Sequence, residues 1–289
     1  MTTLQTQPYF YQVLGKDGCA LRVAEFKAER PKGVLQIVHG FGEGIEHYDE
    51  FATAIAKAGY TVVVHDQRGF GKMITKKERG IVPSYDVLLD DLQMVSDYLG
   101  ECYPELPLFL YGFSMGGNIA LNLVLHSPET YAKCIVAAPW LANHKPVRSL
   151  VRHVATSLGK ISPTLRVRAF LRPTHICSDV PRLLKLRKEG VFHDTISLRL
   201  FSQILHMSQR IMAQAGSLAV PTLVLIAGQD KIICNQTIRH FVYQTSVNVI
   251  HHTYDKAYHC LHFEPERHQL VSDVVAFLAG KTALGSVSQ

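Results

Sequence analysis

Apolar residues gather into short runs of five or six, separated by stretches where they recur every three or four positions. Short apolar runs bounded by glycine or charge suit strands buried on both faces. The three-to-four spacing suits helices packed against them. Buried strands are predicted at 33–38, 61–65, 107–110, 133–138 and 222–226. Helices are predicted at 47–58, closed by Gly59, and at 84–100, 118–125, 235–244 and about 265–279. Residues 9–14 and 19–26 predict a hairpin about Gly15-Lys16-Asp17-Gly18, and 247–253 a last strand. Repeated strand–helix units imply an α/β chain with a mostly parallel, doubly wound sheet and helices on both faces.

This rhythm stops between about Leu141 and Ala215. That segment has no strand-like runs, only short helical patterns such as Val147, Leu150, Val151, Val154 and Leu158, broken by Pro163 and Pro173. The expected organisation is therefore a core made of 1–140 and 216–289, with 141–215 as a helical cap inserted on top. Charge sharpens the boundary. The segment holds thirteen Lys/Arg against three Asp/Glu, +10 in a chain of net charge +6, which leaves −4 for the rest. Such asymmetry suggests a separate unit with its own partner surface. Nucleic acid is not expected as that partner, because no binding module or interleaved aromatic and basic pattern accompanies the charge.

With 289 residues, 47% hydrophobic and 19% charged, the chain can bury a sizeable core. The polar start Met1-Thr2-Thr3-Leu4 shows no signal peptide, and no apolar stretch is long enough to span a bilayer. The six cysteines are scattered without a C-x-x-C pair, which reads as reduced thiols and a cytoplasmic setting. Fifteen histidines show no H-E-x-x-H spacing, so no structural metal site is expected. The residues from Lys281 to Gln289 are expected to fray.

The chemistry centres on Gly112-Phe113-Ser114-Met115-Gly116-Gly117, which lies between a predicted strand and a predicted helix. A serine on so tight a turn is held clear of the sheet, and the glycines keep side chains out of the bend. The competing reading is a phosphate-binding turn, but that would want a Lys after the glycines, where Asn118 stands. Ser114 needs a histidine base, and that base needs a carboxylate to orient it. In a doubly wound sheet both should follow later strands at their carboxyl ends. Asp230 follows the strand 222–226, and His259 follows the last strand. His262, His251 and His252 compete with His259, and Asp255 competes with Asp230. His39 is read as a loop-bonding residue. The oxyanion of a tetrahedral intermediate would be held by two backbone N–H groups, those of Met115 and Phe41.

The order Ser, Asp, His is that of the α/β-hydrolase fold. Taken with His39-Gly40-Phe41-Gly42-Glu43, Asp66-Gln67-Arg68-Gly69-Phe70-Gly71, Gly228-Gln229-Asp230 and His259-Cys260-Leu261-His262-Phe263-Glu264, the chain resembles the monoacylglycerol lipase and lysophospholipase group of α/β hydrolases. This group is often filed with serine aminopeptidases. The resemblance spans about residues 10–280 and places the family roles on Ser114, Asp230 and His259, with Phe41 and Met115 at the oxyanion hole. Two positions depart from it. Relatives usually carry His where Phe113 stands, and a Ser two residues beyond the second glycine of Arg-Gly-x-Gly, where Met73 stands. Both bear on substrate preference.

The resemblance implies hydrolysis of a small lipid or ester substrate through an acyl-enzyme, with no cofactor or metal. A basic cap with amphipathic spacing adds an expected peripheral contact with anionic membranes. A small-ester or small-peptide hydrolase is the alternative, though a basic cap suits a free amine poorly. Dehalogenase and epoxide hydrolase chemistry would require Asp in place of Ser114. A ligand-binding receptor on a hydrolase scaffold is the non-enzyme alternative.

Overall fold

The computed structural model describes residues 7–245 and 248–281. The chain opens with β1 (Tyr9–Leu14), β2 (Ala20–Phe26) and β3 (Val34–Val38), followed by a 3-10 turn (Ile45–Tyr48) running into α1 (Asp49–Lys57). Then come β4 (Thr61–His65), α2 (Tyr85–Cys102), β5 (Leu108–Phe113), α3 (Met115–His126) and β6 (Lys133–Ala137). Residues 141–215 contribute α4 (Ser149–Ile161), β7 (Arg166–Arg168), α5 (Pro173–Ile176), α6 (Val180–Lys188), β8 (Thr195–Ser197) and α7 (Leu198–Ala213). The chain ends with β9 (Thr222–Ala227), α8 (Asn235–Gln244), β10 (Val249–Tyr254) and α9 (Arg267–Leu278). The expected fraying falls mainly on 282–289, outside the described residues.

The main sheet has eight strands in the order β1-β2-β4-β3-β5-β6-β9-β10. β2 pairs antiparallel with β1 and β4, and the other pairings are parallel. Both β3 and β4 are buried at every position, because helices cover both faces. Alternate residues therefore feed two cores. Leu35, Ile37, Leu223 and Leu225 face α1 and α9, while Val38, Leu110, Val224 and Ile226 face α2, α3 and α8. From β3 the chain moves outward to β4, then returns to the other side of β3 as β5. The carboxyl ends of β3 and β5 thus flank a topological switch point, where open α/β sheets form their crevices.

The segment between β6 and β9 is bonded to loops that follow β3, β4 and β10. His193 N donates to Gly42 O (3.0 Å), Ser197 N to Gly80 O (2.8 Å), and Cys260 N to Ile176 O (2.7 Å). It also contains something the pattern of the sequence does not predict. β7 and β8 form an antiparallel pair, Arg166 opposite Ser197 and Arg168 opposite Thr195. With three residues each, such strands are too short to show alternation. Ser197 caps α7, its hydroxyl accepting from Leu200 N (3.2 Å), a bond that stabilises a helix by about 1 kcal/mol. No helix among the described residues is long and apolar enough to cross a membrane.

Candidate active site

Three loops at the carboxyl edge of the sheet supply the site. Ser114 sits between β5 and α3 with φ 53° and ψ −113°, a backbone conformation that L-residues rarely adopt. The strain persists because neighbours fix both sides of the residue. Its N–H donates to Ala137 O on β6 (2.9 Å), and its carbonyl accepts from Trp140 N (2.9 Å) and Asn118 N (3.0 Å). The glycines are needed for close approach. A Cβ on Gly116 would lie 2.0 Å from Val38 O, and one on Gly112 would lie 2.4 Å from Gly116 O.

The strand order brings Asp230 and His259 to Ser114. Asp230 follows β9 and His259 follows β10, the two outermost parallel strands beyond β6. His259 Nε2 lies 2.9 Å from Ser114 Oγ, and its Nδ1 lies 2.6 Å from Asp230 Oδ2. The second carboxylate oxygen of Asp230 accepts from the N–H groups of Ile232 (2.8 Å) and Ile233 (2.9 Å). Asp230 is therefore held as an acceptor on both sides. Nδ1–H must donate to it, which leaves Nε2 as an acceptor facing the serine hydroxyl. All three residues are buried. Among the described residues, the N–H groups of Phe41 and Met115 have no protein acceptor.

The competing histidines and carboxylate stand elsewhere. His39 Nε2 accepts from Gln67 N (2.9 Å) and its Nδ1–H donates to Gly40 O (2.9 Å), so it braces the loop. Burial pushes its pKa down to about 3, which keeps it neutral. His251 is exposed, and His252 packs on Tyr254 at the sheet edge. Asp255 is exposed and meets Gln229 only through its carbonyl. His262 is turned into the core against Tyr48, with ring centroids 4.7 Å apart, and makes no hydrogen bond to Ser114.

Three residues acquire roles that the sequence reading did not give them. Glu43 Oε2 accepts from Gly40 N (2.8 Å) and Tyr48 Oη (2.8 Å), tying down the loop that carries the Phe41 N–H. Burial raises its carboxyl to about 7. Its position in His39-Gly40-Phe41-Gly42-Glu43 was visible, but the loop-bracing geometry was not. Phe113, where relatives usually carry His, packs its ring 4.9 Å from that of His259. Asn118 donates to Trp140 O (2.8 Å) and Ser208 Oγ (2.9 Å) and accepts from Tyr85 Oη (2.6 Å), joining α3 to α2 and α7.

Ser114 and His259 open onto a cavity of about 370 Å³. Its walls are mostly apolar, among them Phe41, Trp140, Val151, Leu171, Phe192 and Ile233, and Glu43 is the one carboxylate lining it among the described residues. An apolar cavity with few polar groups at one end suits a ligand with a hydrocarbon body and a reacting polar head.

Residues 29–266 match the family described as serine aminopeptidase, S33. The chain belongs to this family. A putative monoglyceride lipase of Schizosaccharomyces pombe is 28% identical over 261 residues, which cover 86% of this chain and 68% of that protein. The human monoglyceride lipase is 28% identical over 243 residues, covering 81% of this chain and 77% of the relative. Among solved structures, a soluble variant of the Saccharomyces cerevisiae monoglyceride lipase in complex with a substrate analog aligns with a TM-score of 0.86 and 21% identity, over 97% of this chain and 98% of the other. That likeness shows the α/β-hydrolase fold.

Proposed function

We propose that the protein is a serine hydrolase that cleaves carboxylic esters of lipids, of the monoacylglycerol or lysophospholipid type. The observation that carries this reading is the hydrogen-bonded chain Asp230–His259–Ser114 opening onto an apolar cavity. Ser114 Oγ attacks the ester carbonyl while His259 Nε2 takes its proton. Asp230 holds the ring and stabilises the imidazolium, and the Phe41 and Met115 N–H groups receive the oxyanion. His259 then returns the proton to the leaving alcohol. Water attacks the acyl-enzyme by the same path in reverse. The named relatives favour a monoacylglycerol substrate, and the apolar walls supply the acyl site. An aminopeptidase reading is weaker, because a free amine needs an acidic partner. The cavity's Glu43 already spends one oxygen on Gly40 and Tyr48.

In this reading residues 141–215 form the cap over the acyl site, and the cap docks on anionic lipid. Along α4, Leu150, Val154, Leu158 and Ile161 share one face and stand exposed, Leu150 at 70% and Ile161 at 80%. Ala155 and Gly159 are buried on the opposite face. Arg152 and Lys160 stand on the other side of α4, where they line a groove with Gly159, Arg199 and His206. A cytoplasmic enzyme attached peripherally fits this surface.

The test is hydrolysis of a chain-length series of monoacylglycerols beside lysophosphatidylcholine and short p-nitrophenyl esters, with Ser114→Ala as control. Turnover of medium or long monoacylglycerols, abolished by the substitution, is the expected result. Full turnover by purified Ser114→Ala would refute the assignment. Equal co-sedimentation with neutral and anionic vesicles at low salt would refute the docking surface.

A further inference from the structure

Part of the positive charge of residues 141–215 gathers in a groove that ester hydrolysis does not use. The groove lies between α4 and α7 and encloses about 870 Å³. Arg152, Thr156 and Lys160 line it from α4, and Arg199, Gln203 and His206 from α7. Within each set the spacing is three or four residues, so each forms one stripe along its helix. No Asp or Glu lines the groove among the described residues.

Close packing fixes how the two stripes face each other. A Cβ on Gly159 would lie 2.7 Å from Arg199 N, so the end of α4 touches the start of α7. The helices pack along their length, and from that contact they can do so only antiparallel. Lys160 therefore stands with Arg199 at one end of the groove. Arg152, about 12 Å back along α4, stands towards His206, which is about 10 Å along α7 from Arg199. Thr156 and Gln203 lie between. The groove thus has two basic ends and an uncharged polar middle.

These cations are not consumed within the protein. Arg168, Arg182, Lys185 and Arg187, elsewhere in the same segment, each pair with a carboxylate. Arg152, Lys160 and Arg199 have no carboxylate partner among the described residues. Arg199 is also held in place, its Nε donating to Gly159 O (3.3 Å) and its Nη1 to Pro83 O (2.9 Å). A guanidinium fixed by backbone carbonyls keeps its full charge and loses little freedom on meeting an anion. Gln203 gives its carbonyl oxygen to Tyr85 N (3.1 Å), which leaves its NH₂ as the group it can offer a ligand.

We propose that this groove binds a polyol carrying phosphates at two separated positions, whether free in solution or as the headgroup of a lipid. A single phosphate cannot reach both basic ends. Two can, one at Lys160 and Arg199 and the other at Arg152 and His206, with the hydroxyls between them bonded by Thr156 and Gln203. The groove shares no lining residue with the cavity at Ser114, so the proposal does not depend on the ester-hydrolase reading.

Calorimetric titration of the purified full chain with inositol 1,4,5-trisphosphate, at about 0.15 M salt to screen diffuse attraction, tests it. One-to-one binding is expected, at least about tenfold tighter than that of inorganic phosphate. Arg152→Gln and Lys160→Gln should each weaken it about tenfold. Both side chains are exposed, so the melting temperature should not move. Lys188 is an exposed cation of the same segment outside the groove, and Lys188→Gln should leave binding unchanged. Vesicles separate the two sources. Preferential sedimentation with phosphatidylinositol 4,5-bisphosphate over phosphatidylserine at equal charge, competed by the soluble trisphosphate, assigns the headgroup. Soluble binding without that preference assigns a free phosphate. No saturable binding of the trisphosphate at millimolar concentration, or equal weakening by Lys188→Gln and Arg152→Gln, would overturn the proposal.

Discussion

Replacing Asp230 by Asn offers a sharp test of the site, because the surrounding bonds dictate which way the new amide must face. One carboxylate oxygen accepts from two backbone N–H groups, Ile232 and Ile233, and the other from His259 Nδ1–H. In Asp230→Asn the carbonyl oxygen must stay with the two N–H groups. Turning the amide over would set its NH₂ against two buried donors, at roughly 1–3 kcal/mol for each lost bond. The NH₂ therefore faces Nδ1, which becomes an acceptor, and the ring proton moves to Nε2. His259 then points a donor at Ser114 Oγ and cannot take its proton. Loss of the correct tautomer costs about 10⁴ in kcat, or about 5.4 kcal/mol of transition-state stabilisation. Initial rates on a p-nitrophenyl ester, with the rate of fluorophosphonate labelling of Ser114, measure it, while the melting temperature should change little. A folded Asp230→Asn protein within tenfold of the parent would refute Asp230 as the orienting carboxylate.

Other expectations follow from the same contacts. Gly116→Ala places a methyl group 2.0 Å from Val38 O, so β3 or the turn must shift. A stability loss of about 1–3 kcal/mol and a large fall in activity are expected, and an unchanged melting curve and rate would contradict the close approach. His47 is buried with its Nε2 unpartnered, and burial lowers its pKa to about 3. Between about 6.5 and about 3 the unfolded chain binds this proton and the folded chain does not, so the parent loses stability as pH falls through that window. His47→Phe removes this loss, and chemical denaturation should show the variant gaining on the parent by up to about 1.4 kcal/mol per pH unit on acidification. Parallel pH profiles would sink that reasoning. Leu150→Asp with Leu158→Asp should reduce sedimentation with anionic vesicles while leaving hydrolysis of a water-soluble short ester near the parental rate. Undiminished sedimentation would argue against docking through α4.

Much of this architecture was legible because strands buried on both faces leave an unmistakable mark. Val34–Val38, Thr61–His65 and Thr222–Ala227 are nearly continuous apolar runs, and each needs a helix on either side. The site was legible for a related reason, since a parallel sheet delivers successive loops to one edge. What stayed hidden depends on pairing across long separations. Arg166-Val167-Arg168 looks like loop until Thr195-Ile196-Ser197 lies beside it. His259 and His262, three residues apart, look interchangeable along the chain. The short 3-10 turn Leu261–Phe263 separates them, carrying His262 back into the core while His259 stays at the cavity. Glu43 and Cys260 meet only because the loops after β3 and β10 converge beneath the same crevice.

The same crowding of loops links residues 141–215 to the Phe41 and Met115 N–H groups, the donors of the proposed oxyanion hole. The loop carrying Phe41 is bonded at its next residue, where Gly42 O accepts from His193 N. A Cβ on Gly42 would lie 2.0 Å from His193 O, so the two segments are in close contact as well as bonded. The helix carrying Met115 is tied one turn on, where Asn118 donates to Ser208 Oγ on α7. Asn118 also donates to the carbonyl of Trp140, whose own N–H holds Ser114 O. Displacing the segment over the cavity must therefore break these bonds or carry both donors with it. An apolar ligand that fixes the segment in place would at the same time fix the distance between the Phe41 and Met115 N–H groups. In the proposed reaction, acyl-chain binding would thus support the geometry of the reacting end, through bonds that lie outside the Ser114–His259–Asp230 chain itself.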